Sequence, residues 1–95
     1  RYIEAEVAGL IVASIYLPNG NPTGTDKFAY KLKWMERLRA HAAELLADER
    51  PAVLAGDFNV VPEDRDVFSV KAVASDALVQ PETRAQWRQL TAQGW

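Results

Sequence analysis

The sequence predicts a mixed α/β fold, in which a β-hairpin, a long helix, a buried strand and a C-terminal helix follow one another. Three observations lead to this prediction. Two apolar segments between residues 3 and 16 are separated by a two-residue break, residues 26–50 show helical periodicity, and residues 52–55 form an uninterrupted apolar run bounded by Pro51 and Gly56. A chain of 95 residues forms one domain at most, so we treat 1–95 as a single unit.

The first two segments predict an antiparallel hairpin. Ile3, Ala5 and Val7 alternate with glutamates, which is the period of a half-buried strand. The segment Leu10–Tyr16 is apolar enough to be the central strand of a sheet. The link Ala8–Gly9 has the length of a tight hairpin turn.

A loop rich in turn-forming residues follows at 17–24, and it is long enough to carry function. A helix then begins near Thr25 or Asp26, either of which is a suitable cap. It ends between residues 48 and 50, because Pro51 disfavours helix in the residue before it. The apolar side of this helix is expected to contain Phe28, Leu32, Met35, Leu38, Ala42 and Leu45. Helix and following strand together predict a βαβ-like crossover.

The apolar run that starts at Pro51 predicts a strand buried on both faces. Asp57 and Asn59 stand two residues apart at its end, so in extended backbone their side chains point the same way and Phe58 points the other way. Gly56 allows other groups to approach the backbone closely. Because ligand sites in α/β sheets lie beyond the carboxyl ends of strands, we expect a site here.

The remainder of the chain is less regular. Residues 63–68 predict a helical turn, and residues 69–80 a loop with a short helical piece. A helix is predicted over 82–93, with Pro81 in its first turn and Gly94 as its C-cap. These elements cover one face of a small sheet and leave nothing for the other, so we expect the chain to be a segment of a larger fold.

Composition excludes several classes of function. The net charge of −2 argues against polyanion binding by bulk electrostatics. The absence of cysteine excludes disulfides and thiolate metal sites, and is compatible with the cytoplasmic location that we expect. No apolar segment approaches the roughly 20 residues that span a bilayer, so we expect no membrane partner. Glycine-rich phosphate loops, histidine metal motifs and nucleophile elbows are also missing.

The residues at the strand ends are the first candidates for chemistry. The carboxylate of Asp57 could bind Mg²⁺ or exchange protons, and the amide of Asn59 could hold a phosphate oxygen or orient a water. A turn in which Asp57 bonds its own backbone explains the tetrapeptide equally well. The hydroxyl of Tyr16 could reach a phosphate at the same sheet edge, although a packed aromatic with a solvated hydroxyl is the simpler interpretation.

The loop and helix supply further candidates. Asn19 and Gly20 could present an amide and backbone N–H groups to a phosphate, or form a plain turn. Lys27 and Lys31 could contact a phosphate backbone, or be solvated lysines off the apolar side of the helix. His41 is the only histidine and has no evident Asp or Ser partner, so we expect it at the surface.

Taken together, three segments resemble the exonuclease III family of AP endonucleases, which belongs to the Mg²⁺-dependent endonuclease/exonuclease/phosphatase superfamily. The segments are Tyr16–Gly20, then Lys27–Lys31 with Trp34, and Gly56–Asn59 with Pro62. The resemblance covers nearly the whole chain. It implies that residues 1–95 are a partial domain, the central segment of a DNase I-like, four-layer α/β sandwich with two facing sheets.

The resemblance also implies an activity: hydrolysis of DNA phosphodiesters 5′ to abasic sites, with 3′→5′ exonuclease and 3′-phosphatase activity on double-stranded DNA. It implies catalytic roles for Tyr16 at the phosphate, for Asp57 as acid/base residue, and for Asn59 at the phosphate or a metal-bound water. It places Asp57 and Asn59 at the metal, Mg²⁺ or Mn²⁺. On the DNA side it places Asn19, Gly20 and Lys27.

Several residues that the family needs for catalysis are not found among these 95 residues, so the implied activity is not expected of the chain alone. The family also uses an upstream asparagine and a glutamate that is the principal metal ligand, and a downstream aspartate and Ser-Asp-His segment. We therefore expect negligible nuclease activity from the isolated chain. Two alternatives remain open: a phosphoesterase of the same superfamily that acts on lipid phosphates or RNA, and a non-catalytic module that self-associates through its exposed sheet face.

Overall fold

The computed structural model describes residues 1–95 and contains the elements that the sequence predicts, in the predicted order. They are β1 (Tyr2–Val7), β2 (Leu10–Tyr16), α1 (Asp26–Ala47), β3 (Ala52–Asp57) and α2 (Pro81–Thr91). Short 3₁₀ helices at Asp64–Asp66 and Ala77–Val79 account for the predicted helical turn and the short helical piece. The fold is therefore mixed α/β, as predicted.

The three strands form one sheet in the order β1-β2-β3, with β2 in the centre. β1 and β2 are antiparallel, whereas β2 and β3 are parallel. The hairpin link has positive φ at both residues, 52° at Ala8 and 80° at Gly9, which matches the right-handed twist of the strands. The hairpin, the central position of β2 and the crossover through α1 are all confirmed.

Both helices lie on one face of the sheet. From β2, alternate residues Ile11, Ala13 and Ile15 point towards this side and are buried. The main core cluster consists of Ile15, Leu17, Met35, Leu38, Ala42 and Leu90. The chain thus has one two-layer core, which holds the loop after β2 against the helices through Leu17.

The opposite face of the sheet is open, and two predictions fail for that reason. β1 is not half-buried, since the exposed fractions of Ile3 and Val7 are 71% and 59%. β3 is not buried on both faces, since Val53 is 44% exposed. The strand registers place these residues on one face with Ala5, Val12 and Ala55, and no element of the chain covers that face.

The C-terminal helix α2 packs on α1 and on the segment after β3. Trp87 meets the ring of Phe58 edge-on, with centroids 5.2 Å apart. The helix ends at Thr91 with Ala92 as its C-cap, so the predicted end at residue 93 and cap at Gly94 are wrong. The last turn tightens instead, because the N–H of Gly94 donates to Thr91 O three residues back. Neither helix is long and apolar enough to cross a membrane.

Candidate active site

The structure brings Tyr16 and Asp57 together at the carboxyl ends of two parallel strands. They are register partners in β2 and β3, so their side chains share the open face of the sheet. Both residues are exposed. The backbone N–H of Leu17 donates to Asp57 O at 2.9 Å, which continues the pairing one residue past the strands. This is the sheet edge at which the sequence predicts a site.

Asp57 and Asn59 form a turn rather than a continued strand. β3 ends at Asp57, and Asn59 has φ of 46°, so the inference that both side chains point the same way in extended backbone does not apply. Asp57 Oδ1 accepts the N–H of Asn59 at 2.9 Å, as in the alternative turn interpretation. Asn59 Nδ2 donates to Leu17 O at 2.6 Å. Asp57 Oδ2 and Asn59 Oδ1 accept no hydrogen bond within the chain.

A groove of about 550 Å³ lies beside this turn, at the start of α1. It contains four of the six predicted site residues, and its lining is Arg1, Tyr16, Pro18, Asn19, Gly20, Asp26, Lys27 and Tyr30. Asp57 and Asn59 do not line the groove, but Tyr16 joins the groove to Asp57. Sequence reasoning missed Tyr30, which is 62% exposed, and Arg1.

Lys31 is the largest correction to the sequence-based predictions. It is not a solvated lysine, since its exposed fraction is 0%. Its Nζ donates to Asn19 O at 3.0 Å and to Asn59 O at 2.5 Å. The spacing held a signal, because positions 31, 35, 38, 42 and 45 recur at steps of four and three and are all buried on α1. Because lysine is charged, the apolar pattern does not count position 31 as part of the buried side of α1.

Burial lowers the pKa of Lys31 to about 8, while the carboxylates of Asp76 and Asp57 act in the opposite direction. The aliphatic part of Lys31 supports the loop as well. Gly20 has φ of 80°, and a Cβ there would lie 2.5 Å from Lys31 Cδ. The sequence motif therefore needs glycine at this position for two reasons, backbone conformation and close approach.

The groove loop is also tied to the segment before α2. Asn21 Oδ1 accepts the N–H of Ala77 at 2.8 Å, and its Nδ2 donates to Asp76 Oδ1 at 3.2 Å. Thr23 Oγ1 donates to Ser75 O at 3.3 Å. These contacts join residues more than fifty positions apart, so the pattern of the sequence does not reveal them.

His41 lies away from the site, near the surface, as expected. Its Nε2 pairs with Glu4 Oε1 at 2.5 Å, and the hydroxyl of Tyr2 donates to the same carboxylate oxygen at 3.0 Å. The bond from His41, then that from Tyr2, lowers the pKa of Glu4. These three residues line a separate groove of about 760 Å³ between β1 and α1.

The residues of the chain do not make a complete metal site. Asp57 Oδ2 and Asn59 Oδ1 are oxygen donors of the kind that Mg²⁺ prefers. An octahedral Mg²⁺ has more positions than these two atoms fill, and no three His, Asp or Glu side chains are grouped so that they could hold a metal. The expected metal role of Asp57 and Asn59 therefore needs ligands from elsewhere.

The curated relatives that this chain resembles include two that are named as nucleases. One, an exodeoxyribonuclease of Bacillus subtilis, is 27% identical over 95 residues, which is 100% of this chain and 37% of the relative. The other, the DNA repair nuclease APEX1 of Danio rerio, is 32% identical over 95 residues, 100% of this chain and 30% of the relative. The chain thus spans about a third of the length of the curated relatives it matches.

Solved structures of nucleases and phosphatases share the fold of this chain. An AP endonuclease from Archaeoglobus fulgidus matches with a TM-score of 0.90 at 32% identity, over 99% of this chain and 37% of that one. A 3′ phosphatase from Neisseria, NExo, bound to a product DNA hairpin, matches with a TM-score of 0.91 at 27% identity and the same coverages. The model of the Endonuclease/Exonuclease/phosphatase family matches residues 1–95, so the chain belongs to that family.

Proposed function

We propose that the protein containing this chain is a DNA-repair phosphodiesterase that cleaves 5′ to abasic sites and removes nucleotides or phosphate from 3′ ends. The observation that carries this proposal is the groove, which gathers Tyr16, Asn19, Gly20 and Lys27 beside Asp57. A groove lined by residues with hydroxyl, amide, backbone N–H and ammonium donors, next to a carboxylate with one oxygen unbonded, suits a phosphodiester substrate.

Each group has a distinct task in this proposal. The exposed ammonium of Lys27 attracts the phosphate backbone, while Asn19 and Gly20 bind it from the loop. The hydroxyl of Tyr16 donates to a non-bridging oxygen of the scissile phosphate. Asp57 Oδ2 has no partner in the chain, so it is the atom that exchanges a proton with the attacking water or the leaving oxygen.

The proposal includes a divalent metal, Mg²⁺ or Mn²⁺, that this chain alone does not hold. We expect its principal ligand, a carboxylate, to come from outside residues 1–95, with Asp57 and Asn59 on the near side of it. For the same reason we expect the isolated chain to be inactive. Removing one member of a catalytic unit commonly costs several orders of magnitude in rate.

DNA is favoured over other phosphoesters by the relatives. The two curated relatives are named as a deoxyribonuclease and a DNA repair nuclease, and one structural neighbour holds a product DNA hairpin. A phosphoesterase that acts on RNA or on lipid phosphates remains the competing proposal.

The test compares substrates on the full-length protein in the presence of Mg²⁺: duplex DNA with an abasic-site analogue, duplex DNA with a 3′-phosphate, RNA, and an inositol phosphate. We expect cleavage of the two DNA substrates. Asp57→Asn should lower kcat on the order of a hundredfold or more, whereas Glu36→Gln, an exposed carboxylate of α1 outside the groove, should change it by less than about threefold. Preferential hydrolysis of RNA or inositol phosphate would overturn the assignment to DNA repair.

The open sheet face supports a second proposal for the isolated chain, namely self-association. Ile3 and Val53 lie on this face and are 71% and 44% exposed. Light scattering of the 95-residue chain should show particles larger than a monomer, and Val53→Asp should reduce their size. A monodisperse monomer that binds no apolar dye would count against this proposal.

A further inference from the structure

The buried side chain of Lys31 is hydrogen-bonded both to the groove loop and to the turn after β3. Its ammonium donates to Asn19 O in the groove loop and to Asn59 O in the turn after β3, at 3.0 and 2.5 Å. Its aliphatic stem supports Gly20, where a Cβ would lie 2.5 Å from Cδ and 3.0 Å from Cβ of the lysine. The side chain is fully buried, so substrate does not reach it.

Through Asn59, the influence of Lys31 extends to the carboxylate of Asp57. The backbone N–H of Asn59 donates to Asp57 Oδ1 at 2.9 Å, and its Nδ2 donates to Leu17 O at 2.6 Å. Asn59 has φ of 46°, a conformation that non-glycine residues adopt mainly where surrounding contacts hold it. The bond from Lys31 to Asn59 O is one of these contacts, so it fixes the donor that orients Asp57.

We propose that Lys31 is a positioning residue that holds the groove loop and the Asp57–Asn59 turn in one fixed arrangement. It acts through Asn19, Gly20 and Asn59 and touches no substrate. The proposal rests on the proposed function, since it states which residue aligns the DNA-binding loop with the catalytic carboxylate. A lysine that only stabilised the fold would affect all parts of the chain alike.

Amide hydrogen exchange separates these two roles without any measurement of activity. Lys31→Met removes the donor and keeps much of the stem, Lys31→Arg restores a donor, and Lys33→Met on the exposed side of α1 is the control. In Lys31→Met, protection of the Leu17 and Asn59 amides should fall on the order of tenfold or more relative to Ala13 in β2. Lys31→Arg should recover part of it, and Lys33→Met should change nothing.

A uniform loss of protection across Leu17, Asn59 and Ala13 would overturn the positioning role. If Lys31→Met does not fold, Gly20→Ala replaces it, because the added Cβ displaces the lysine stem without removing a charge. The same local loss at Leu17 and Asn59 is expected there, and its absence would equally count against the proposal.

Kinetics of the full-length protein on abasic-site DNA give the functional test. Lys31→Met should lower kcat on the order of a hundredfold, since misplacement by about 1 Å has effects of this size, and Lys31→Arg should restore part of it. Lys27→Met, which changes only the groove, should instead raise KM. A Lys31→Met enzyme with unchanged kcat would refute the proposal. A wild-type protein inactive on DNA would refute the proposed function, and hydrogen exchange would still decide the role of Lys31.

Discussion

Replacing the buried Lys31 by methionine should change how the stability of the chain depends on pH. The wild-type ammonium is fully buried and bonded to two carbonyl oxygens. Methionine fills most of the same space but neither carries a charge nor donates a hydrogen bond. The matched control is Lys33→Met, two residues along the same helix, where the side chain is exposed.

The size of the effect follows from the pKa of Lys31, which falls from 10.5 to about 8 on folding because burial disfavours the charged form. This gap corresponds to about 3 kcal/mol of folding free energy. Below about pH 8 the lysine is charged in both states, and its burial opposes folding in full. Between about pH 8 and 10.5 the unfolded chain binds more protons than the folded chain, so stability rises with pH.

Near neutral pH the two consequences of Lys31→Met oppose each other. The substitution removes the cost of a buried charge, but it leaves two carbonyl oxygens without a donor, at about 1–3 kcal/mol each. The stability difference at one pH is therefore a poor test. The change of that difference with pH is a sharp one, because only the lysine titrates in this range at this position.

The assay is urea unfolding followed by the fluorescence of the three tryptophans, between about pH 7 and pH 10.5. Wild-type stability should rise relative to Lys31→Met by up to about 3 kcal/mol across this range, whereas wild type and Lys33→Met should stay parallel. Tyr2, whose pKa burial raises to about 12, makes folding less favourable at high pH, but it does so in all three proteins and cancels. If the difference in unfolding free energy between wild type and Lys31→Met changes by less than about 1 kcal/mol over this pH range, the inference that Lys31 is buried with a lowered pKa is refuted.

Three further predictions concern stability and use the same unfolding assay. Gly20→Ala should cost about 1–3 kcal/mol more than Gly9→Ala, because both have φ of 80° but only the first meets a buried side chain; equal losses would show that the contact is unimportant. Gly56→Ala should cost roughly 3 kcal/mol or more, since its Cβ would collide with the backbone of β2, whereas Gly94→Ala lies in open space; similar values for the two would contradict the close strand approach. Glu4→Gln should weaken the loss of stability at acidic pH. Because the pKa of Glu4 is lowered below its ordinary value of 4.5 in the folded chain, its carboxylate stabilises the fold above pH 4.5, and this stabilisation is lost as the pH falls. An unchanged loss of stability at acidic pH would contradict the pairing of Glu4 with His41 and Tyr2.

The order and type of the elements could be predicted because their signals are local. Alternation around Ile3, the apolar run after Pro51 and the steps of three and four along α1 each depend on neighbours within a few residues. The carboxyl ends of adjacent parallel strands share an edge, so the pairing of Tyr16 with Asp57 also followed from topology. The predicted site residues lie at this edge and in the adjoining groove for that reason, while their chemical roles remain predictions.

The internal supports of the site could not be predicted in the same way. Lys31 is a charged residue at a position of the buried side of α1, and composition alone assigns such a residue to the surface. The positive φ of Asn59 depends on three partners: Leu17, Lys31 and Asp57. The bonds from Asn21 to residues 76 and 77 cross more than half of the chain. These features arise from tertiary contacts, which override local preference.

The open sheet face and the incomplete donor set of the proposed metal site have a common explanation. Tyr16 and Asp57 belong to the same face of the sheet as Ile3, Val12 and Val53, at its carboxyl edge. A second layer that buried this apolar face would therefore bring its own edge next to Asp57. The carboxylate that the proposed metal would need is then expected on that layer, as in the facing-sheet sandwich that the family resemblance implies. Covering the apolar residues and completing the site would thus be one structural event, so activity and loss of self-association should appear together.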